Sequence, residues 1–167
     1  LFRSPTALTA TACSVAVLCN GGTSTATGVA AGGTSPYSYS WSLEGGNAAT
    51  TIPVPAGSYT CTVTDDNGCT TTASTTITEP TALSVTSSQV DELCNGGNNG
   101  SATVVVSGGT TAYSYAWTPV GGNAATAPNI TAGNYTCTIT DANGCVITQA
   151  FVINEPTPLT VTTTTVS

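Results

Sequence analysis

Apolar and small polar residues alternate along much of the chain. The segment YSYSW at residues 37–41 alternates aromatic residues with serine, and YTCTVT at residues 59–64 alternates apolar residues with threonine. Successive side chains of a strand point to opposite faces, so both segments predict strands with one buried face. No stretch combines a helical period with capping residues. The pattern predicts an all-β protein with these aromatic side chains packed in its core.

Turn residues divide the alternating segments. Gly-Gly pairs and Asp-x-Asn-Gly segments favour hairpin turns, because Asn and Gly tolerate positive φ. In the first half of the chain we expect strands at about residues 8–17, 23–31, 36–43, 48–54, 57–65 and 69–78. Short strands at this spacing, with a Trp in mid-unit and Tyr-x-Cys late in it, predict an immunoglobulin-like β-sandwich.

The whole pattern occurs twice. LCNGG at residues 18–22 returns at residues 93–97, an offset of 75, and YTCTVTDDNGC at residues 59–69 returns as YTCTITDANGC at residues 135–145, an offset of 76. Self-similarity at a fixed period indicates a repeat architecture. We therefore expect two tandem immunoglobulin-like β-sandwich repeats of about 75 residues.

Both ends of the chain continue the repeat pattern. SPTAL at residues 4–8 matches EPTAL at residues 79–83, and LTVT at residues 159–162 restarts LSVT at residues 83–86. These matches predict either an excerpt from a longer tandem array or a subunit that lends a terminal strand to its neighbour. The predicted organisation is a preceding tail or linker over 1–7, repeats over 8–82 and 83–158, and a following first strand or donor strand over 159–167.

Composition excludes several classes of function. The chain has one basic residue, eight acidic residues, no His and a net charge of −7. Without His there is no Ser-His-Asp triad and no His metal ligand, and without Lys there is no Schiff base. No basic footprint for nucleic acid and no apolar run of about 20 residues is present. We expect no enzyme activity, no metal or cofactor, no nucleic-acid partner and no membrane insertion.

The seven cysteines indicate an oxidising compartment and hence an exported chain. Cys61 and Cys69 lie on one predicted hairpin. A two-residue loop would place Cys61 opposite Ser74, and a four-residue loop would place it opposite Thr72. In both cases Cys61 and Cys69 are about 10 Å or more apart, too far for a disulfide bond. We therefore predict the disulfides Cys19–Cys69 and Cys94–Cys145, each worth roughly 4 kcal/mol in the chain-entropy model.

Three cysteines remain outside these pairs, and two interpretations stay open for them. Cys61 and Cys137 face inward on their strands, where a small apolar residue with an unreactive thiol would fit. The alternative is a Cys13–Cys61 disulfide in the first copy. The second copy has Ser88 in place of Cys13, so Cys137 would lack that partner.

CNGGNNGSATVVVSGGT at residues 94–110, AGNYTCTITDANGC at residues 132–145 and INEPTPL at residues 153–159 resemble the SprB-type repeat of secreted surface proteins and gliding-motility adhesins of Bacteroidota. The resemblance implies an extracellular multi-repeat filament or stalk exported by a type IX system, without catalytic residues. The first copy departs at residues 23–25, where Thr-Ser-Thr replaces the usual Asn-Asn-Gly. The family has an aliphatic residue where Cys61 and Cys137 stand, which favours buried thiols.

Two functions agree with these features. The first is a structural or adhesive repeat segment of an extracellular bacterial filament or cell-surface adhesin stalk, which associates end to end with neighbouring copies or repeats. The alternative is a spacer or carbohydrate-binding accessory module of a secreted polysaccharide-degrading enzyme. A carbohydrate-binding surface would need aromatic side chains on the outer face of a sheet.

The predicted outer faces carry Thr and Ser but few charges, so another barrier against sheet-to-sheet association is needed. We expect covalent glycans or surface polysaccharide there. Candidate O-linked sites are Thr60, Thr62, Thr136, Thr138, Thr162, Thr163, Thr164 and Thr165, and the Asn-linked pattern adds Asn99, Asn129 and Asn134. The loop acids Asp65, Asp66, Asp91, Glu92 and Asp141 lack the spacing of a calcium loop and are interpreted as solvated turn residues.

Overall fold

The computed structural model describes residues 6–164. This range contains strands and no helix, so none of it forms a helix that could cross a bilayer. The all-β prediction is confirmed. The chain divides after Thr81 into two compact units, which we call unit 1 (described from residue 6) and unit 2 (described to residue 164). Most of the expected leading tail (residues 1–5) and Thr165 lie outside the described residues.

Unit 1 contains five antiparallel strands. They are β1 (Thr9–Ser14), β2 (Ala26–Ala31), β3 (Ser38–Trp41), β4 (Gly57–Thr64) and β5 (Thr70–Ile77). One sheet pairs β1 with β2, and the other has the order β3-β4-β5. The strand expected at 48–54 is reduced to isolated bridges at Thr50 and Val54. Pro53 and Pro55 flank Val54 and have no N–H to offer a ladder.

Unit 2 repeats this arrangement with one strand more. Its strands are β6 (Ser84–Val90), β7 (Gly100–Ser107), β8 (Ser114–Thr118), β9 (Thr126–Ile130), β10 (Gly133–Thr140) and β11 (Val146–Ile153). They form the antiparallel sheets β6-β7-β9 and β8-β10-β11. In chain order these are the A-B-E and C-F-G sheets of an immunoglobulin-like sandwich. Residues 159–164 form no strand, because a strand needs a neighbour for its backbone groups and no described segment pairs with them.

Each unit has its own core, built from the inward residues of both sheets. In unit 2 the Trp117 indole ring packs beside Phe151, with ring centroids 5.3 Å apart. Its Nε1 donates a hydrogen bond to Ala124 O at 2.8 Å. The remaining buried members of the two cores are Val17, Ala26, Trp41, Val54, Tyr59, Cys61, Val63 and Ile77 in unit 1, and Ala102, Val104, Ala127, Ile130, Tyr135, Cys137, Ile139 and Ile153 in unit 2.

A tyrosine corner marks the same place in both units. The Tyr59 hydroxyl donates to Pro55 O at 2.9 Å, and the Tyr135 hydroxyl donates to Thr131 O at 3.0 Å. Each tyrosine stands two residues before a buried cysteine, as in immunoglobulin domains. The strand order and this corner together confirm the predicted immunoglobulin-like sandwich.

The hairpin that follows the corner has a three-residue loop. The Asp65 N–H donates to Cys69 O at 3.0 Å and closes the loop over residues 66–68. Cys61 lies opposite Ala73, so both expected registers, opposite Ser74 and opposite Thr72, are wrong. Gly68 has a φ of 81°, the left-handed conformation that completes a type I turn in loops of this length. The expected separation of Cys61 from Cys69 remains, because the two residues sit at different levels of the hairpin.

Candidate functional site

A buried aspartate holds the hairpin loop of each unit. In unit 1, Asp65 Oδ1 accepts hydrogen bonds from the N–H groups of Asn67 at 3.1 Å and Cys69 at 2.8 Å. Its Oδ2 accepts one from the N–H of Thr34 at 3.0 Å. Asp141 makes the equivalent three bonds in unit 2. These hydrogen bonds hold the pKa of Asp65 below its ordinary value, and the bond from the Thr34 N–H has the largest effect. The pKa of Asp141 is lowered in the same way, mainly by the Thr110 N–H.

The interpretation of all five loop acids as solvated turn residues is therefore wrong for three of them. Asp65, Asp141 and Glu92 are buried, and each accepts at least one hydrogen bond from a backbone N–H. Glu92 Oε2 accepts a hydrogen bond from the Asn99 N–H at 3.0 Å. The described residues include no cluster of acids or cysteines arranged to hold a metal ion.

The chain begins each unit at the end of the sandwich that carries this hairpin, which we call the leading pole. In unit 1, Thr6 O accepts a hydrogen bond from Gly33 N–H at 2.8 Å, next to the Thr34 that Asp65 holds. In unit 2, a Cβ at Gly109 would lie 2.7 Å from both Leu83 and Asp141 Oδ2. The first residues of each unit therefore lie beside the loop that ends in Cys69 or Cys145.

The chain leaves each unit at the end that carries the CNGG turn, which we call the trailing pole. In unit 1, the Asn20 amide donates to Pro80 O at 3.1 Å and Gly21 N–H donates to Glu79 Oε2 at 2.6 Å. Asn95 and Gly96 make the same bonds to Pro156 and Glu155 in unit 2. The repeated Glu-Pro motif thus holds the CNGG turn, a role that its matched spacing in the two copies could have indicated.

The positions of the poles overturn the predicted disulfide pairs. Cys69 immediately precedes β5 and Thr78 follows it, and nine residues of extended chain span about 30 Å. Cys19 lies in the turn that contacts the Thr78 end, so it is far beyond the roughly 7 Å needed to reach Cys69. In the structure Cys19 takes part in a disulfide bond, and so does Cys145, whereas Cys69 and Cys94 are exposed free thiols. The predictions Cys19–Cys69 and Cys94–Cys145 are wrong.

The Cys13–Cys61 alternative is also wrong. Cys13 is an exposed free thiol on the outer face of β1, while Cys61 is a free thiol with no exposed surface. A Cβ at Gly28 would lie 2.8 Å from Cys61 Sγ, so Gly28 of β2 stands where immunoglobulin domains place the partner cysteine. Cys137 is equally buried, and burial raises the pKa of both thiols. Both are core residues, as the interpretation of buried, unreactive thiols predicted.

The predicted glycosylation sites fall into two groups. Thr60, Thr62, Thr136 and Thr138 lie on the central strands β4 and β10 and are half-buried between neighbouring side chains. The Thr60 hydroxyl already shares a 2.9 Å hydrogen bond with Ser74. The exposed candidates are Thr162, Thr163, Thr164, Asn99, Asn129 and Asn134.

The described part of the chain exposes no aromatic side chain. Every aromatic residue between 6 and 164 is either buried or packed half-buried against a core cluster. The expectation that these residues form the core is confirmed. The described residues offer no aromatic platform on which a sugar ring could stack.

The strand order, the tyrosine corners and the poles define an immunoglobulin-like β-sandwich protein. Residues 86–122 match the SprB repeat family, which confirms the resemblance for this part of unit 2. No curated protein matches the chain.

Solved structures similar to the chain include immunoglobulin-domain proteins. A structure of Dscam that addresses isoform specificity is 16% identical, with a TM-score of 0.36 over 90% of this chain and 47% of that chain. The four N-terminal Ig domains of Dscam1 isoform 9.44 are 14% identical, with a TM-score of 0.40 over 92% of this chain and 47% of that chain. The ectodomain of mouse nectin-like molecule 4 is 12% identical, with a TM-score of 0.37 over 94% and 67%. The chain thus spans about half the length of the two Dscam chains.

Proposed function

We propose that this chain is a structural and adhesive repeat segment of an extracellular bacterial filament or cell-surface adhesin stalk. The observation that carries the proposal is the polarity of each unit. The chain begins a unit at the leading pole, held by Asp65 or Asp141, and leaves it at the trailing pole, held by Glu79 or Glu155. A unit of this kind lengthens a fibre each time it is added.

The strand lengths set the reach of one unit. The longest strands of both sandwiches have eight residues, which corresponds to about 26 Å of extended chain. With its turns a unit is therefore about 30 Å long. Pro80 and Pro156, which follow the trailing poles, restrict the backbone on leaving each unit.

The extracellular location rests on three features. The SprB repeat match points to secreted and cell-surface proteins, the chain has 5% charged residues, and it contains disulfide-bonded cysteines. Export by a type IX system is part of the proposal and follows from the family resemblance. Glycans on the exposed tail residues 162–164, and on the exposed asparagines, are a further part of it.

A mechanical measurement tests the structural role. The chain should be tethered at both ends under reducing conditions and stretched in an optical trap. A unit of about 75 residues extends to about 270 Å, so we expect two discrete unfolding events that each lengthen the tether by about 240 Å. Smooth extension without discrete events would contradict a mechanically stable fibre segment.

A further inference from the structure

We propose that Cys94 of one copy of this chain forms a disulfide with Cys69 of a second copy, which joins the copies head to tail. The inference rests on the proposed fibre function and adds a covalent link to it. Both thiols are exposed and free in the structure. Three features of the poles carry the inference.

The first feature is the placement of the two thiols. Cys69 follows the hairpin loop at the leading pole of unit 1, and Cys94 begins the CNGG turn at the trailing pole of unit 2. They therefore lie at the leading pole of unit 1 and at the trailing pole of unit 2. A second copy that follows in the same direction would present its Cys69 to Cys94 of the copy before it.

The second feature is that the equivalent cysteines of the other unit are disulfide-bonded. Cys145 is the hairpin cysteine of unit 2, and Cys19 is the CNGG cysteine of unit 1. Their surroundings match those of the free thiols closely. The backbone N–H of Cys69 lies 2.8 Å from Asp65 Oδ1, and that of Cys145 lies 2.9 Å from Asp141 Oδ1. Each type of position therefore supports a disulfide in this fold, and one thiol of each type is left unused.

The third feature is the surface around Cys94. A cleft of about 480 Å³ is lined by Leu93, Cys94, Asn95 and residues 156–159. Leu93 is 76% exposed and Leu159 is 96% exposed, although the equivalent Leu83 packs against Gly109 inside unit 2. Exposed apolar residues around a reactive group mark a surface that gains from being covered.

The leading pole has the shape to cover this cleft. Its hairpin loop consists of the exposed residues Asp66, Asn67 and Gly68, and Cys69 follows them directly. A Cβ added at Gly68 would meet no atom within 4 Å, so the tip of the loop is open. A second copy is the occupant because it supplies both a narrow loop and the matching thiol.

The other free cysteines do not compete for this link. Cys61 and Cys137 have no exposed surface. Cys13 is exposed, but it belongs to β1 and to neither the hairpin loop nor the CNGG turn, and unit 2 has Ser88 in the equivalent position. The Cys13 sulfur also lies 3.8 Å from Thr27 O of the neighbouring strand.

The link forms by oxidation of two thiols. The Cys94 and Cys69 sulfurs together lose two protons and two electrons as the S–S bond forms. Oxidised glutathione accepts them and is converted into two molecules of reduced glutathione by two thiol–disulfide exchanges. The mixed disulfide with glutathione is the intermediate.

The test uses the full chain with Cys13→Ser as the common background. Incubation with oxidised glutathione should give a ladder of multiples of 16.4 kDa on a non-reducing gel, and reduction should abolish it. Two further variants carry either Cys69→Ser or Cys94→Ser in this background, and neither variant incubated alone should form the ladder. An equimolar mixture of those two variants should give a dimer and nothing larger, and peptide mapping should find Cys69 joined to Cys94.

The matched controls separate this link from general thiol oxidation. The chain with Cys13→Ser alone must keep the ladder, and circular dichroism must show that all variants are folded. The proposal would be overturned if the Cys13→Ser protein stayed monomeric, or if the ladder persisted in a protein that carries both Cys69→Ser and Cys94→Ser. It would also be overturned if peptide mapping found Cys69 joined to Cys69 or Cys94 joined to Cys94. Surface filaments without the link would leave the proposed function intact, whereas a linked protein confined to the cell interior would overturn that function alone.

Discussion

Replacement of Trp117 by Ala should unfold most of unit 2 under conditions in which unit 1 remains folded. The substitution removes a buried ring that packs beside Phe151, and it deletes the hydrogen bond from Nε1 to Ala124 O. Truncation of a buried Trp costs about 3–5 kcal/mol. A unit of about 75 residues has a net stability of about 4–11 kcal/mol, so this loss takes a large share of it.

The chain provides its own reporter for this experiment. It contains two Trp residues, one in each core, so Trp41 fluorescence follows unit 1 alone in the Trp117→Ala protein. Urea titration should show an early transition by far-UV circular dichroism and an unchanged Trp41 transition. Trp117→Phe keeps an aromatic ring and should cost clearly less. A loss below about 1 kcal/mol in Trp117→Ala would contradict the assigned core.

Acidification should destabilise unit 1 through Asp65. Backbone hydrogen bonds hold the pKa of Asp65 below its ordinary value, which is about 3.9 in an unfolded chain. The hydrogen bond from the Thr34 N–H has the largest effect. The folded state therefore binds the proton less readily than the unfolded state. The carboxylate stabilises the fold at pH above about 4, and this contribution is lost as the pH falls through the lower, folded-state pKa.

Two neighbouring aspartates give a matched comparison. Asp65→Asn replaces one carboxylate oxygen with an N–H donor beside the N–H of Thr34 or Cys69, whereas Asp66 is exposed and its variant Asp66→Asn should behave as the unmodified chain. Thermal unfolding between pH 2 and 7 should show a lower midpoint for Asp65→Asn at pH 7 and a smaller drop below pH 4. Equal midpoints for the two variants at every pH would contradict the role assigned to Asp65.

The strands could be predicted because their cause is local. Alternation of aromatic and small polar residues specifies which side chains are buried, and Tyr59, Trp41 and Cys61 lie in the core as that alternation requires. The strand expected at 48–54 failed where Pro53 and Pro55 interrupt the ladder. The three-residue hairpin loop was missed because two or four residues fit the same Asp-x-Asn-Gly pattern.

The disulfides could not be predicted because their cause is not local. The spacing of Cys19 and Cys69 says nothing about which end of a sandwich each residue occupies. That end is fixed by hydrogen bonds between distant residues, such as Gly21 to Glu79 and Thr34 to Asp65. The same limit applies to Asp65 and Asp141, whose buried acceptor role depends on backbone donors 31 residues away.

Immunogold electron microscopy on intact cells of the source organism tests the proposed function most directly. An antibody against this chain should be applied to intact cells and, in parallel, to permeabilised cells. We expect gold particles in rows along filaments outside the cell, at equal density in both preparations. Labelling confined to permeabilised cells, or surface labelling without any filament, would contradict the assignment of this chain to an extracellular fibre.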